Sequence, residues 1–167
     1  MVFDNNASEV GFILEGTSIE DVIAQDAAEL EQIGGSMDAI SERMLYFQSK
    51  FYSKGSETSD RKGQEGFYRE EIVAWKDHTK KDPILDSVYH EGVYTVQSMP
   101  STDGVQDCPF SNCTHIGAHD VGIVNTRDKK RLIVNDVTIH LAKEHQLLEK
   151  SNQYGISAKD FYEYFMK

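Results

Sequence analysis

The chain has 167 residues and a net charge of −11, with 39% apolar and 27% charged side chains. That length holds one compact domain, or one domain with an appendage, and can bury a core of its own. No apolar run approaches the roughly 20 residues that span a bilayer, and so acidic a chain repels nucleic acid unless one patch is locally basic.

The start, MVFDNNAS, has neither the basic region nor the long apolar core of a secretory signal, and it lacks the glycine that myristoylation needs. The expected compartment is the cytoplasm. There a lone disulfide between Cys108 and Cys113 is disfavoured. The glycosylation sequons at Asn6 and Asn112 then read as accidental.

Charge is uneven along the chain. Residues 1–60 carry twelve acidic side chains against Arg43, Lys50 and Lys54, a balance of −9. The ordinary reading of such acidity is a solvated helical face.

VGFIL at 10–14 is either a short strand or an arm packed on the body. The stretch 18–33 predicts a helix: Ser18 can cap it, and Ile19, Val22, Ile23, Ala27, Leu30 and Ile33 recur at helical spacing. Gly34 and Gly35 stop it, and Ser36 starts a second helix over 37–52 with Met37, Ile40, Met44, Phe47 and Phe51 as its stripe. A turn this short predicts a helical hairpin. Read as a DNA-binding helix-turn-helix, its second helix offers only Arg43 and Lys50 to phosphates, so docking on the core or on a second copy is favoured.

Residues 53–66 are polar with three glycines and predict a linker. Residues 67–80 predict a helix whose largest apolar element is Trp75, read as core. VYTVQS within 92–107 predicts a strand, with a turn from Pro100 to Gly104 and a second short strand. A clearer hairpin follows over 120–134: Val121, Ile123 and Val124 face Leu132, Ile133 and Val134 across TRDKKR. Asn135 or Asp136 caps a helix over 136–150, and Ser157 caps a short aromatic helix at the end that docks on the body.

Both cysteines and four of the six histidines fall within 108–145. Cys108 and Cys113 are separated by four residues in a turn, and His140 and His145 by four on the following helix. Zinc takes four such ligands in a tetrahedron. His115 and His119 are rival ligands, or hydrogen-bond partners standing behind the ligands. His78 and His90 have no visible partner.

In ligand order and in the spacing within each pair, residues 108–145 resemble the zinc-finger family with two cysteine and two histidine ligands. The resemblance implies zinc as cofactor, held by Cys108, Cys113, His140 and His145. It departs in two ways. The 26 residues between the pairs are about twice the family's usual gap. The expected hairpin follows the cysteines, where the family places them on it. Two residues five apart on a helix also point about 140° apart, so both histidines reach one ion only if the helix end loosens or the rings reach round. The order His119-Asp120, Asn135, then His140 or His145 loosely resembles HNH-type ββα-metal nucleases, which would make His119 a general base beside a divalent ion.

The basic cluster Arg127, Lys129, Lys130 and Arg131 sits at the predicted hairpin tip, as a phosphate contact or, more ordinarily, a solvated turn. The expected architecture is α+β: an acidic helical hairpin (1–52), a linker (53–66), and a small antiparallel sheet with a zinc-held ββα-like unit (67–167). The expected function is a cytoplasmic zinc-binding protein with a structural metal. It would be non-enzymatic, away from membranes, and engage a protein partner or itself. A nucleic-acid-binding finger stands second, against the charge, and the HNH-like nuclease third.

Overall fold

A pair of glycines sets how the N-terminal half folds back. In the computed structural model, which describes residues 12–55, 89–99, 106–117, 120–150 and 154–167, α1 (Ile19–Ile33) starts at Ser18, whose Oγ accepts the Asp21 N–H at 3.1 Å. It stops at Gly34, with φ 66 in the left-handed region where glycine carries no Cβ penalty. Gly35 is required for a different reason. A Cβ there would lie 2.5 Å from the Tyr162 ring, whose hydroxyl accepts the Ser36 N–H at 2.7 Å. Ser36 then caps α2 (Met37–Gly55) through the Ala39 N–H. The N-terminal helical hairpin is thus present.

The α2 stripe is buried as its periodicity predicts, at Met37, Ile40, Met44 and Phe47; the Phe51 side chain lies outside the described residues. The α1 stripe is narrower than expected. Ile19, Val22 and Leu30 are buried, but Ala27 and Ile33 are exposed. Asp26 points inward instead, because Lys150 waits for it there.

Among the described residues six strands follow: β1 (Tyr89–Glu91), β2 (Tyr94–Met99), β3 (Gln106–Asp107), β4 (Ile116–Gly117), β5 (Asp120–Asn125) and β6 (Lys130–Val134). Four of them form an antiparallel sheet in the order β1-β2-β5-β6, and β3 and β4 pair separately. VYTVQS is a strand as expected; β1, only three residues long, carries too little pattern to be read. In the β5–β6 hairpin Val121 pairs with Val134 and Ile123 with Leu132. The loop is shorter than the expected TRDKKR, since Lys130 and Arg131 join the ladder opposite Asn125 and Val124. The Asn125 side chain tightens the turn: its Oδ1 accepts the N–H groups of Arg127 and Asp128, both at 3.1 Å.

Strand alternation puts Tyr94, Val96, Val121, Ile123, Leu132 and Val134 on one face, all buried. They share one core with Met44 and Phe47 of α2 and with Phe161 and Phe165. Full burial of each such side chain is worth about 1.5–3 kcal/mol. The two phenylalanines lie on α4 (Ala158–Phe165), the expected aromatic helix, whose cap is Ser157 accepting the Asp160 N–H.

Helix α3 (Asp136–His145) is opened by a reciprocal pair: Asn135 Oδ1 accepts the Thr138 N–H, and Thr138 Oγ1 accepts the Asn135 N–H. It is shorter than the expected 136–150. Gln146 turns left-handed at φ 55, and its amide Nε2 donates to the carbonyls of Ala142 and Lys143. Leu147 and Leu148 beyond it are buried in non-helical chain.

A second, smaller core joins Phe12, Ile13, Ile19 and Val22 to Cys108, Phe110, Val137, Leu141 and Leu147. Phe12 and Ile13 belong to VGFIL, which over its described part is an arm and no strand; its Phe12 carbonyl accepts the Lys150 N–H at 3.0 Å. Most of the expected linker, the expected 67–80 helix with Trp75 and His78, the Pro100–Gly104 turn and His119 lie outside the described residues. Among the described residues no helix is long and apolar enough to cross a membrane.

Candidate metal centre

Cys108 follows β3 directly, and β4 begins three residues after Cys113. The knuckle CPFSNC is therefore the tip of its own small hairpin. Its base is closed by the Cys108 N–H donating to the His115 carbonyl at 3.0 Å, and its turn by the Cys113 N–H donating to the Phe110 carbonyl at 2.8 Å. This corrects the expectation that the hairpin follows the cysteines. The cysteines do sit on a hairpin, β3–β4, and the legible hairpin β5–β6 is a separate piece of the main sheet. That piece accounts for the long gap between the ligand pairs.

Helix α3 returns the chain to this knuckle. One ligand atom each from Cys108, Cys113, His140 and His145 lies within 4.8 Å of the other three. Individual edges are shorter: Cys108 Sγ to His145 Nε2 is 3.5 Å, Cys113 Sγ to His140 Nε2 is 3.0 Å, and the two Nε2 atoms are 3.2 Å apart. Zinc bonds of about 2.0–2.3 Å in a tetrahedron set ligand atoms roughly 3.3–3.8 Å apart. The donor set suits such an ion, and the three shortest edges, 3.0–3.5 Å, lie at or just below that span. Both rings offer the same nitrogen, and His145 meets the angular demand by being the last residue of α3.

Each ligand ring is backed by another ring. Phe110 lies on His145 with centroids 3.7 Å apart and planes at 6°, and His115 lies on His140 at 4.2 Å and 8°. His115 Nε2 is also 3.2 Å from the Asp136 carbonyl. His115 thus stands beside the four donors and outside their group. Phe110 was missed by the sequence reading, although an aromatic inside a cysteine knuckle was there to be seen.

Burial pushes the Cys108 thiol up to about 11. Burial also lowers His140, helped by the neighbouring His115 and His145, and lowers His145 against the pull of Glu144. Neutral imidazoles are the metal-binding form, whereas the Cys108 proton must leave before its sulfur can ligate.

The other singled-out residues are occupied differently. Asn135 spends its side-chain oxygen on the α3 cap and is 1% exposed. His90 contacts Thr95 at an exposed edge. At the hairpin tip Arg127 pairs with Asp128 at 2.8 Å, and its hydrogen bond holds the Asp128 carboxyl below the usual range. Lys130 Nζ sits 4.7 Å over the Tyr164 ring, while Lys129 and Arg131 are exposed.

The chain carries a Cys2His2 group at metal-binding distance on an α+β fold. Compared with known proteins, it matches no family model, no curated protein and no solved structure.

Proposed function

We propose that the protein is a cytoplasmic zinc-binding protein whose metal is structural, and that it serves as an interaction module for another protein or a second copy. One observation carries the metal part: four soft or borderline donors, two from a hairpin tip and two from a helix end, converge within 4.8 Å. Four protein ligands leave no open position for water, so the ion staples the knuckle to α3 and runs no hydrolysis.

Nucleic-acid reading is less well supported. In α3 the residues Val137, Thr138, Ile139, Leu141 and Ala142 are buried, so the helix has little free face for a groove. At the tip Arg127 is engaged by Asp128 and Lys130 lies over the Tyr164 ring. The overall charge of −11 opposes phosphate as well.

The test is elemental analysis of the untagged protein beside Cys108→Ala and His140→Ala. The expected result is one zinc per chain, lost in both variants together with folded stability. A parent without zinc overturns the reading. Light scattering then separates self-association from a foreign partner. Retention on DNA that collapses with salt would move the function to the nucleic-acid finger.

A further inference from the structure

The two sulfurs of the metal centre differ in access. Cys108 is 8% exposed and packs in the smaller core with Phe110, Val137 and Leu141. Cys113 is half-buried and lines a solvent-open cleft of about 580 Å³, together with His140, His145, Asn112 and Glu144. A molecule the size of a hydroperoxide entering that cleft meets the Cys113 sulfur, while Cys108 stays behind in the apolar core. The two sulfurs also lie within 4.8 Å of each other, at the two ends of one turn. The chain has two cysteines in all, so Cys108 is the one thiol of the same chain that can answer a change at Cys113.

Resting on the zinc reading above, we propose that Cys113 is a modification site: hydroperoxides oxidise its thiolate, and Cys108 resolves the product as a disulfide that expels the metal. In the first step the Cys113 thiolate attacks one peroxide oxygen. The O–O bond breaks, a sulfenic acid forms on Cys113, and hydroxide leaves. In the second step the Cys108 thiolate attacks the Cys113 sulfur. The S–S bond forms, the S–O bond breaks, and a second hydroxide leaves. Two thiolates have lost two electrons, and hydrogen peroxide has become two hydroxides, which take two protons to give water. A disulfide needs its sulfurs at about 2.05 Å, so closure draws the two side chains together across the turn. Zinc keeps only His140 and His145, too few ligands for a structural site, and departs. The knuckle is then released from α3.

The experiment treats the zinc-loaded full chain with hydrogen peroxide. Zinc release is followed with a chromogenic chelator, the disulfide by intact mass, and sulfenic acid by dimedone trapping with peptide mapping. Expected are one zinc released per disulfide formed, a dimedone adduct on Cys113, and recovery of the zinc form on adding thiol reductant and zinc. Zinc retained with both thiols intact overturns the proposal, as does an adduct on Cys108 with none on Cys113. Cys108→His keeps four ligands and should accumulate sulfenic acid at Cys113 without a disulfide; if it does not fold, the adduct map of the parent decides. A parent isolated without zinc under reducing conditions is a separate failure, that of the metal reading itself.

Discussion

Phe110 lies flat on His145, ring centroids 3.7 Å apart and planes within 6° of parallel. The contact joins the tip of the cysteine hairpin to the last residue of α3, which is where the helix is weakest. A terminal histidine has rotational freedom to lose on binding a metal, and a ring stacked on it removes much of that freedom beforehand. Phe110→Leu is expected to weaken zinc binding about 10-fold while leaving the helical content unchanged, since ligand-orienting partners carry about 10–100-fold in affinity. Phe110→Trp, which restores a flat ring, should recover most of it. Competition titration against a chelator of known affinity reads both.

His115 sets the same question for His140, with a sharper control. It stacks on that ring and its Nε2 reaches the Asp136 carbonyl. If it orients His140 and does not ligate, His115→Ala keeps one zinc per chain with affinity lowered about 10-fold. His115→Phe, keeping the stack and losing the hydrogen bond, falls between. The cobalt-substituted protein is the more decisive reading. Its visible spectrum should stay that of a two-sulfur, two-nitrogen tetrahedron in His115→Ala and should change in His140→Ala.

What the sequence made legible follows the strength of local signals. The caps at Ser18, Asn135 and Ser157 were each readable because a short polar side chain stood just before an apolar period, and each accepts the expected N–H. The four donors were readable because their residue types are rare and paired. Three things were hidden. The β3–β4 hairpin rests on two-residue strands, too short to carry alternation, so its base looked like loop. The early end of α3 depends on Gln146 adopting φ 55, and glutamine announces no left-handed turn as glycine would. The inward Asp26 was invisible for the usual reason: its partner Lys150 lies far along the chain.

Metal loading should release a proton from Cys108. Its thiol is raised to about 11, so at pH 7 it is protonated before zinc arrives and a thiolate afterwards. The histidines act in the other direction. Both are lowered from 6.5 in the folded protein, chiefly by burial, so the unfolded chain takes up protons first as pH falls below about 6.5. Stability is therefore fully present above that value and declines toward acid, for the metal-free protein as well as the loaded one. Calorimetric titrations in two buffers of different ionisation enthalpy count the released protons, and denaturant midpoints from pH 8 to pH 5 check the slope.

Removing zinc should loosen one core and spare the other. The donors border the smaller cluster of Phe12, Phe110, Val137 and Leu141, whereas Phe47, Val96, Ile123 and Phe161 are packed without them. Chelation is expected to raise amide exchange through Cys108–Cys113 and the last turn of α3. The β2–β5 ladder, from Tyr94↔Asn125 to Met99↔Asp120, should keep its protection. Protection lost together in both regions would mean that the two cores unfold as one.

Asp26 and Lys150 form the ion pair that ties α1 to the chain after α3. Lys150 Nζ contacts Asp26 Oδ1 at 2.5 Å, with 0% of the aspartate and 13% of the lysine side chain exposed. The Leu148 N–H also reaches Asp26 Oδ2 at 3.4 Å. Burial raises the Asp26 carboxyl above its ordinary 3.8, and Lys150 only partly offsets this. The folded protein thus holds that proton more tightly than the unfolded chain, and this contribution is lost as pH rises through the folded value. As an ion pair the two are desolvated charges whose attraction offsets only part of their dehydration. Breaking it by Asp26→Leu alone leaves Lys150 almost buried without its carboxylate and is expected to cost about 3–5 kcal/mol. Asp26→Leu with Lys150→Met removes both charges and sacrifices two weak hydrogen bonds, from the Leu148 N–H to Asp26 and from Lys150 Nζ to the Ile156 carbonyl at 3.3 Å, so it should lie within about 2 kcal/mol of the parent. Urea denaturation of the parent, the single and the double variant gives the comparison. A double variant as unstable as the single would mean that the hydrogen bonds with Leu148 and Ile156, and not the ion pair, carry the stability.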